Sequence, residues 1–342
     1  MVERSGLIRT FVARAGWGSA DTAMLAGDAS NRRYLRLTDP ETGARAVLMD
    51  APPDRGEDVR PFIRIDEFLA GLGFSVPRIL ARDTQAGLLL LEDLGDDLFA
   101  RVLERSPEME NSLYSAATDL LAELHAHSPP PGLATYDSRL MTELSALAYD
   151  WYQHGGAGHQ APESSARFCQ EFEPVLARLG PDAVLVQRDY HAENLIWLPG
   201  RTGTARVGLL DFQDAMAGHR AYDLVSLLQD ARRDVHPATE ETMLRRYVET
   251  TGLDDAGFRA AYYILGAQRN LRILGVFARL CLRDGKAHYV DMIPRVWALL
   301  ERDLAHPALS GLRDLVLNDL PTPTPSFLQR LKDQCATVPD QS

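Results

Sequence analysis

Three polar residues within the stretch 184–214 have the types and spacing that metal-dependent phosphoryl transfer requires. Asp189 and Asn194 form the pattern Asp-x-x-x-x-Asn, and Asp211 follows in Asp-Phe-Gln-Asp, 22 positions after Asp189. In transfer from ATP, one carboxylate orients the acceptor hydroxyl and takes its proton, while a second carboxylate and an amide oxygen hold Mg²⁺. The simpler interpretation is a hairpin capped by Asp and Asn that has no catalytic role.

A β-hairpin is predicted to position these residues. The apolar run Val184–Val186 leads into the polar loop, and a strand is expected over Leu195–Leu198. The turn Pro199–Gly203 reverses the chain, and a second strand over Ala205–Leu210 ends next to Asp211. We therefore expect Asp189, Asn194 and Asp211 to meet at one end of the hairpin.

Composition excludes several classes of protein. The 342 residues are 45% hydrophobic and carry a net charge of −12, which argues against nucleic acid or an anionic membrane as partner. The cysteines Cys169, Cys281 and Cys335 are few and scattered, so a reducing cytoplasm is the expected compartment. Lysine occurs only at positions 286 and 332, and no P-loop motif is present.

The order of predicted elements indicates two lobes. Strands are expected over 32–38, 45–50, 76–81 and 88–91, with one helix over 58–72, and helices dominate after residue 96. We predict a bilobal α+β fold of the protein-kinase type. Its strand-rich N-lobe would span 1–95, with a hinge at 92–95; its larger, mainly helical C-lobe would span 96–320, followed by a tail over 321–342.

Motifs along nearly the whole chain carry a family resemblance. The segments LEDLGD, LLAELHA, QRDYHAEN, DFQD and YDLVSLL resemble the aminoglycoside phosphotransferase family of kinase-like enzymes. Three others, GDASNRRYLRL, VLMDAPP and GAQRNLRILGVFARLCLRDGKAHY, are similar to the subgroup that phosphorylates the anomeric hydroxyl of N-acetylmuramate and N-acetylglucosamine. The resemblance implies a cytoplasmic sugar 1-kinase that uses ATP and Mg²⁺ in peptidoglycan recycling.

The resemblance also assigns roles to residues. Asp189 would be the catalytic base, Asn194 and Asp211 would bind Mg²⁺, and backbone groups of the hinge residues Glu92, Asp93 and Leu94 would meet the adenine. Asp223 would brace the catalytic loop, although an N-cap of the following helix is an alternative role for it. Only 12 positions separate Asp211 from Asp223, which is short for a peptide-docking segment and favours a small-molecule acceptor.

Three departures from the family pattern concern the phosphates and the loops. Gln187 replaces a histidine, Gln213 follows Asp-Phe where protein kinases have glycine, and Met49 stands near the position of the usual strand lysine. Another cation must then serve the phosphates, and Arg32 is our candidate. The small-residue loop that ends at Ser30 is predicted to cover the phosphates, and His191 occupies the position of a loop lysine, where a scaffold role is equally compatible.

A polar set on the predicted helix 257–283 is the candidate acceptor wall. Sugar hydroxyls and an acetamide group favour amide side chains, and a muramate carboxylate favours an arginine fork. An ordinary amphipathic helix is the alternative. The helix also carries Arg272, and the residues selected as acceptor contacts are Gln268, Arg269, Asn270, Arg279 and Arg283.

Two other functions remain open at this point. One is a kinase of a different small acceptor, such as an aminoglycoside, choline or another sugar. The other is an inactive kinase-like binding module, which the absent lysine and Gln187 favour and the complete set of Asp189, Asn194 and Asp211 opposes. The sequence leaves the oligomeric state, and the choice between ATP and GTP, undetermined.

Overall fold

The computed structural model describes residues 2–25, 31–157, 162–180 and 182–338. Contacts between Cα atoms divide the chain into two compact units. Unit 1 comprises Met1–Leu120 and Ala192–Ala215, and unit 2 comprises Leu121–His191 and Met216–Ser342. These units are defined by contacts and group the segment after residue 192 with the N-terminal strands, so the lobe boundaries drawn from the sequence stay a prediction.

Unit 1 contains a five-stranded antiparallel sheet in the order β1-β2-β3-β5-β4. Residues alternate between its faces, as side chains do along any strand. One face, with Leu37, Leu48 and Leu90, forms a core with Phe11 of the N-terminal helix α1. The strands are β1 (Asp21–Met24), β2 (Arg33–Thr38), β3 (Arg45–Asp50), β4 (Ile79–Asp83) and β5 (Leu88–Glu92), and α1 spans Val2–Arg14.

Within its described residues, unit 1 also contains a short β-hairpin and three further α-helices. Strand β7 (Leu195–Trp197) pairs with β8 (Val207–Leu209), with Leu195 opposite Leu209. Phe212, after β8, stacks on Phe62 of α2 with ring centroids 4.9 Å apart, which fixes the chain after the hairpin against a helix. The helices are α2 (Arg60–Gly71), α3 (Phe99–Arg105) and α4 (Glu110–Leu124), the last of which continues into unit 2.

Unit 2 is helical and is built around the 28-residue helix α10 (Asp255–Leu282). The Asp254 side chain caps α10 by accepting from the Gly257 N–H at 2.7 Å. Gly275 allows close helix packing, because a Cβ there would lie 2.2 Å from the backbone carbon of Leu147. The other helices are α5 (Ser138–Ser145), α6 (His154–Ala157), α7 (Pro162–Ala177), α8 (Ala221–Leu228), α9 (Pro237–Thr251), α11 (Ile293–Leu304), α12 (Ser310–Asp319) and α13 (Pro325–Asp333).

Strand β6 (Val184–Val186) of unit 2 pairs antiparallel with β9 (Met216–Gly218). This ladder fixes both ends of the segment that leaves unit 2 and returns to it. Within the described ranges, none of the helices is both long enough and apolar enough to cross a membrane.

The α+β class predicted from the sequence is confirmed by the sheet of unit 1 and the helices of unit 2, and the differences from the predicted elements are local. The predicted strand 76–81 begins instead at Ile79, since Pro77 lacks the N–H that a ladder needs. In the predicted helical region after residue 96, helix α5 ends at Ser145, and Ala148–Gln153 forms a π-helical segment. Helix α8 ends at Leu228 because Asp230 forms a turn with the N–H of Arg232.

Candidate active site

The two predicted metal ligands lie together at the end of the β7–β8 hairpin. The N–H of Leu210 donates to the carbonyl of Asn194 at 3.0 Å, which places the residue before β7 beside the residues after β8. Asn194 Nδ2 is 3.5 Å from Asp211 Oδ2, and Gln213 Nε2 donates to Asp211 Oδ1 at 2.7 Å. Asp211 has a left-handed backbone with φ of 57°, a conformation that non-glycine residues adopt mainly at functional loops.

This pair has the donor chemistry that Mg²⁺ requires. The ion prefers oxygen ligands and usually takes one or two from the protein, with the rest from phosphate and water. The Asp211 carboxylate supplies oxygen directly, and a turn of the Asn194 amide presents Oδ1 in place of Nδ2. Asn194 and Asp211 therefore fit a magnesium ion shared with phosphate groups.

A cavity of about 300 Å³ in unit 1 includes both of these residues in its wall. Its sheet side is largely apolar, and Met49 lies there, paired with Tyr34 on β2. A thioether thus stands where the family pattern places a lysine. The wall consists of Leu25, Tyr34, Arg36, Val47, Met49, Phe62, Pro77, Leu91, Glu92, Asp93, Leu94, Gly95, Asp96, Leu98, Arg101, Glu193, Asn194, Ile196, Leu210 and Asp211.

The predicted hinge residues line this cavity, and they differ in whether the backbone N–H already donates a hydrogen bond. The N–H of Glu92 already donates to the carbonyl of Arg78 at 2.8 Å, so among the described hinge residues Asp93 and Leu94 are left to offer an N–H to a base. Arg36 forms ion pairs with the carboxylates of Asp93 at 2.7 Å and Asp96 at 2.9 Å, and thereby ties strand β2 to the predicted hinge. Arg36 is not among the site residues predicted from the sequence, although its position two residues after Tyr34 puts both on one face.

The predicted phosphate contacts differ in their surroundings. Ser30 lies outside the described residues. Arg32 Nε donates to Glu57 Oε2 at 2.7 Å. Burial lowers the pKa of Arg32, but its bond to Glu57 and the charges of Glu57 and Asp214 outweigh this and raise it. Arg32 is thus a fixed cation near the Asp-Phe-Gln-Asp motif, and the described cavity wall contains Arg36 and Arg101 instead.

Gln187 and Arg188, which precede the predicted base Asp189 in unit 2, are held by Asp223. This buried carboxylate accepts from the N–H of Gln187 at 2.6 Å and from the N–H of Arg188 at 2.9 Å. Burial raises the pKa of Asp223 to about 7 despite these two bonds. The N-cap of α8 is Arg220, so Asp223 braces the loop and does not cap the helix. Arg188 has φ of 73°, the second left-handed residue at the site.

Asp189, the predicted base, is partly exposed and surrounded by positive charge. Burial tends to raise its pKa, but Arg272, His191, Arg269 and Arg188 outweigh burial and lower it. Because burial lowers the pKa of His191 to about 4, the arginines supply this charge at neutral pH. Asp189 is therefore an ionised carboxylate. It belongs to unit 2, and its meeting with Asn194 and Asp211 stays a prediction.

His191 is buried, and its Nε2 lies 3.3 Å from Arg232 Nη1. A neutral, enclosed imidazole is better suited to supporting the loop than to neutralising phosphate charge. Of the two roles that the sequence leaves open for His191, this environment favours the scaffold.

The selected acceptor residues of α10 fall into two groups. Gln268 and Asn270 are fully buried. Gln268 donates to the Met141 carbonyl at 2.9 Å, and Asn270 donates to Gln229 at 2.8 Å and to Asp303 at 3.0 Å. This burial argues against the predicted contact of the two amides with an acceptor.

The selected arginines differ from the amides and from one another. Arg269 is buried, with Nη1 3.5 Å from the Gln229 carbonyl. Arg283 pairs with its neighbour Asp284 at 2.6 Å. Arg279 is partly exposed. The acceptor roles of all three stay predictions.

Two tyrosines and an arginine near Asp189 were not selected from the sequence. Tyr136 and Tyr222 have hydroxyl oxygens 3.3 Å apart, and Arg272 Nη1 donates to the Tyr222 hydroxyl at 3.2 Å. The Arg188 guanidinium lies 5.4 Å from the centre of the Tyr136 ring. No motif marks Tyr136; Arg272, four residues after Gln268, carried a signal only as a polar member of α10.

Residues 22–261 match the phosphotransferase enzyme family. The protein belongs to this family. The phosphotransferase is 40% identical to an N-acetylmuramate/N-acetylglucosamine kinase of Caulobacter vibrioides, with 91% of this chain and 95% of the relative covered. It is 35% identical to a protein of the same description from Pseudomonas aeruginosa, with 91% and 93% covered. The predicted resemblance is thereby confirmed, as is its consequence that the protein is an enzyme.

The comparison with solved structures concerns the fold. A choline/ethanolamine kinase family protein from Mesorhizobium loti superimposes with a TM-score of 0.60 at 15% identity, covering 96% of the phosphotransferase and 99% of that chain. Kinases of different small acceptors thus share this architecture, and the predicted kinase-like fold is confirmed.

Proposed function

We propose that this phosphotransferase is an ATP-dependent kinase of N-acetylmuramate and N-acetylglucosamine. It would phosphorylate the anomeric hydroxyl and form the sugar 1-phosphate. The observation that carries the proposal is the identity of 35–40% to kinases named for these two sugars, over 91% of the chain. We further propose that it acts in the cytoplasm, where ATP is available, and that its product enters the recycling of cell-wall sugars.

The cavity of unit 1 is proposed to hold the nucleotide. Its apolar wall suits a purine, and the backbone at Asp93 and Leu94 suits hydrogen bonds to the base. Arg32, fixed by Glu57, would face the phosphates in place of the missing lysine, together with the loop that contains Ser30. Bound Mg-ATP would supply the phosphoryl group and a divalent charge, and Asn194 and Asp211 would hold the metal.

Asp189 is proposed to orient the acceptor hydroxyl and to accept its proton at a carboxylate oxygen. Its lowered pKa makes it a weak base that is ionised throughout the neutral range. A weak base suffices where the rate comes mainly from positioning and charge neutralisation. Asp223 would keep Asp189 in place through the two N–H groups of the loop that it binds.

The first experiment measures ADP release from Mg-ATP with N-acetylmuramate, N-acetylglucosamine, glucose, choline and kanamycin as acceptors. We expect turnover with the two N-acetyl sugars and little with the other three. Product analysis by ³¹P NMR should show an anomeric phosphate. Turnover with choline or kanamycin alone would refute the sugar proposal and retain the kinase.

Asp189→Asn is the decisive variant, because it keeps the shape and removes the proton acceptor. The rate kcat with either sugar should fall by about 1,000-fold or more. The melting temperature should stay near that of the wild type, since Asp189 is partly exposed. A fall of less than tenfold would show that Asp189 is not the base.

A further inference from the structure

The positive charge around Asp189 comes from arginines with different surroundings. Arg269 is buried and directs Nη1 to a backbone carbonyl, which is the usual environment of a structural arginine. Arg188 lies over the Tyr136 ring. Arg272 keeps part of its surface exposed, and its charge contributes most among the cations that lower the pKa of Asp189. A ligand beside Asp189 would therefore meet Arg272 more readily than Arg269.

Arg272 is held in place but retains most of its hydrogen-bonding capacity. The Tyr222 hydroxyl accepts from Nη1, and Tyr222 in turn contacts Tyr136 edge-to-face, with ring centroids 5.0 Å apart. A guanidinium has five N–H groups in a planar fork, so the single bond found among the described residues leaves most of the fork available. Throughout the described ranges, no carboxylate lies within ion-pair distance of Arg272, in contrast to Arg259 on the same helix, which pairs with Glu241 and Asp255.

The two proposed acceptors differ by one group that would recognise such a fork. N-acetylmuramate carries a lactyl ether with a carboxylate, and N-acetylglucosamine has a hydroxyl at that position. A planar guanidinium binds a carboxylate through two parallel N–H···O bonds, whereas it gains little from a hydroxyl. A preorganised arginine beside the base thus suits the anionic sugar.

We propose that Arg272, fixed by Tyr222, is the carboxylate-binding residue of the acceptor site and sets the preference for N-acetylmuramate over N-acetylglucosamine. The inference rests on the proposed function and adds a residue and a chemical basis for the choice between the two sugars. Arg272 binds the lactyl carboxylate equally in the ground state and the transition state, so its effect falls on KM and not on kcat.

The test compares kinetics on both sugars at pH 8 for the wild type, Arg272→Gln and Arg272→Lys. In Arg272→Gln, kcat/KM for N-acetylmuramate should fall by about 10- to 100-fold through KM, while the value for N-acetylglucosamine stays within about threefold. Arg272→Lys keeps the charge and loses the fork, so its loss on N-acetylmuramate should be intermediate. Arg259→Gln, the same substitution elsewhere on α10, should leave the preference between sugars unchanged.

The outcomes separate this inference from the function on which it rests. Equal losses on both sugars, or no loss on N-acetylmuramate, would overturn the role of Arg272 while wild-type turnover upholds the sugar kinase. Failure of the wild type on both sugars would overturn the proposed function and the inference together. Should Arg272→Gln not fold, as judged by circular dichroism, Arg272→Lys decides: a loss of at least threefold confined to N-acetylmuramate supports the inference, and an unchanged ratio refutes it.

Discussion

The β7–β8 hairpin and helix α10 carry polar residues for opposite reasons. In the hairpin, Asn194 precedes the apolar strand β7 and Asp211 follows the apolar strand β8. Both residues line the cavity of unit 1. In α10, Gln268 and Asn270 point into the interior and bond protein groups. Sequence alone marks both regions as polar and places both among the candidate site residues.

The difference shows that the position of a polar residue in the backbone decides whether its side chain faces a cavity or bonds other groups inside the protein. A residue at the end of a strand leaves the ladder, and its side chain is turned towards the opening between loops. A polar residue in the middle of a long central helix is surrounded on most sides and must find a partner inside the protein. Asp303, fully buried and bonded by Gln229 and Asn270, is such a partner.

Removing the proposed metal ligand Asp211 from the hairpin should have the larger effect on activity. Asp211→Asn keeps the size of the side chain but removes its charge, so kcat/KM should fall by about 100-fold, and the Mg²⁺ concentration for half-maximal rate should rise. The measurement is a magnesium titration of ADP release.

Asp214→Asn is the matched control, because Asp214 is an exposed carboxylate three residues further along the same motif. It should cost less than about threefold in rate. If Asp211→Asn and Asp214→Asn have the same magnesium dependence, Asp211 is not a metal ligand. The polar residues of the hairpin would then have no functional role that separates them from those of α10.

Removing a buried amide from α10 should reduce stability and leave catalysis intact. Asn270→Ala deprives Gln229 and Asp303 of a hydrogen-bond donor inside the protein, so the free energy of unfolding should fall by about 1 to 3 kcal/mol. Urea denaturation measures this change, and KM for either sugar should stay within about twofold.

The exposed Asn318 on α12 provides the control, and Asn318→Ala should change stability by less than about 0.5 kcal/mol. A rise in KM of tenfold or more for Asn270→Ala, with stability unchanged, would restore Asn270 to the acceptor wall and contradict the comparison.

Asp66 tests whether a buried polar group with fewer hydrogen-bond partners than the amides of α10 destabilises the protein. It lies in α2, and within the described structure its Oδ2 has no hydrogen-bond partner. Burial, followed by the charge of Glu67, raises its pKa to about 7. A carboxyl with a pKa raised by folding leaves stability unaffected at low pH and costs stability as pH rises through the folded pKa.

The free energy of unfolding of the wild type should therefore decrease between about pH 4 and pH 8 by an amount to which Asp66 contributes about 1 to 2 kcal/mol. Asp66→Asn should flatten this decrease, whereas Asp54→Asn, at an exposed position, should not. Denaturation curves across this pH range measure the effect. Parallel curves for the wild type and Asp66→Asn would mean that Asp66 is ionised without penalty.

The sequence predicted the local hairpin far better than the environment of α10. Spacing and turn residues act over a few positions, so the meeting of Asn194 and Asp211 followed from the order of strands and the turn between them. The burial of Gln268 and Asn270 depends on which neighbours cover α10, and these include Asp303 and Met141, far away in the chain. Residues such as Tyr136 join the candidate site only through contacts between positions far apart in the sequence.

The strand boundaries also show that local patterns are easier to predict than contacts between distant residues. The strands β2 and β3 were predicted within a residue or two, because the alternation of their side chains is visible in the sequence. The short strands β1 and β9 escaped prediction, since each is defined mainly by its hydrogen-bonded neighbour.

Met49 in the cavity wall has a consequence for chemical probes of nucleotide sites. Reagents that deliver an acyl group from a nucleotide to a nearby amine need a lysine within reach, and this chain has no lysine before residue 286. Such reagents should leave the cavity unlabelled even when it binds nucleotide well. Arginine-directed dicarbonyl reagents, to which Arg36 and Arg101 are the lining targets, would report its occupancy instead.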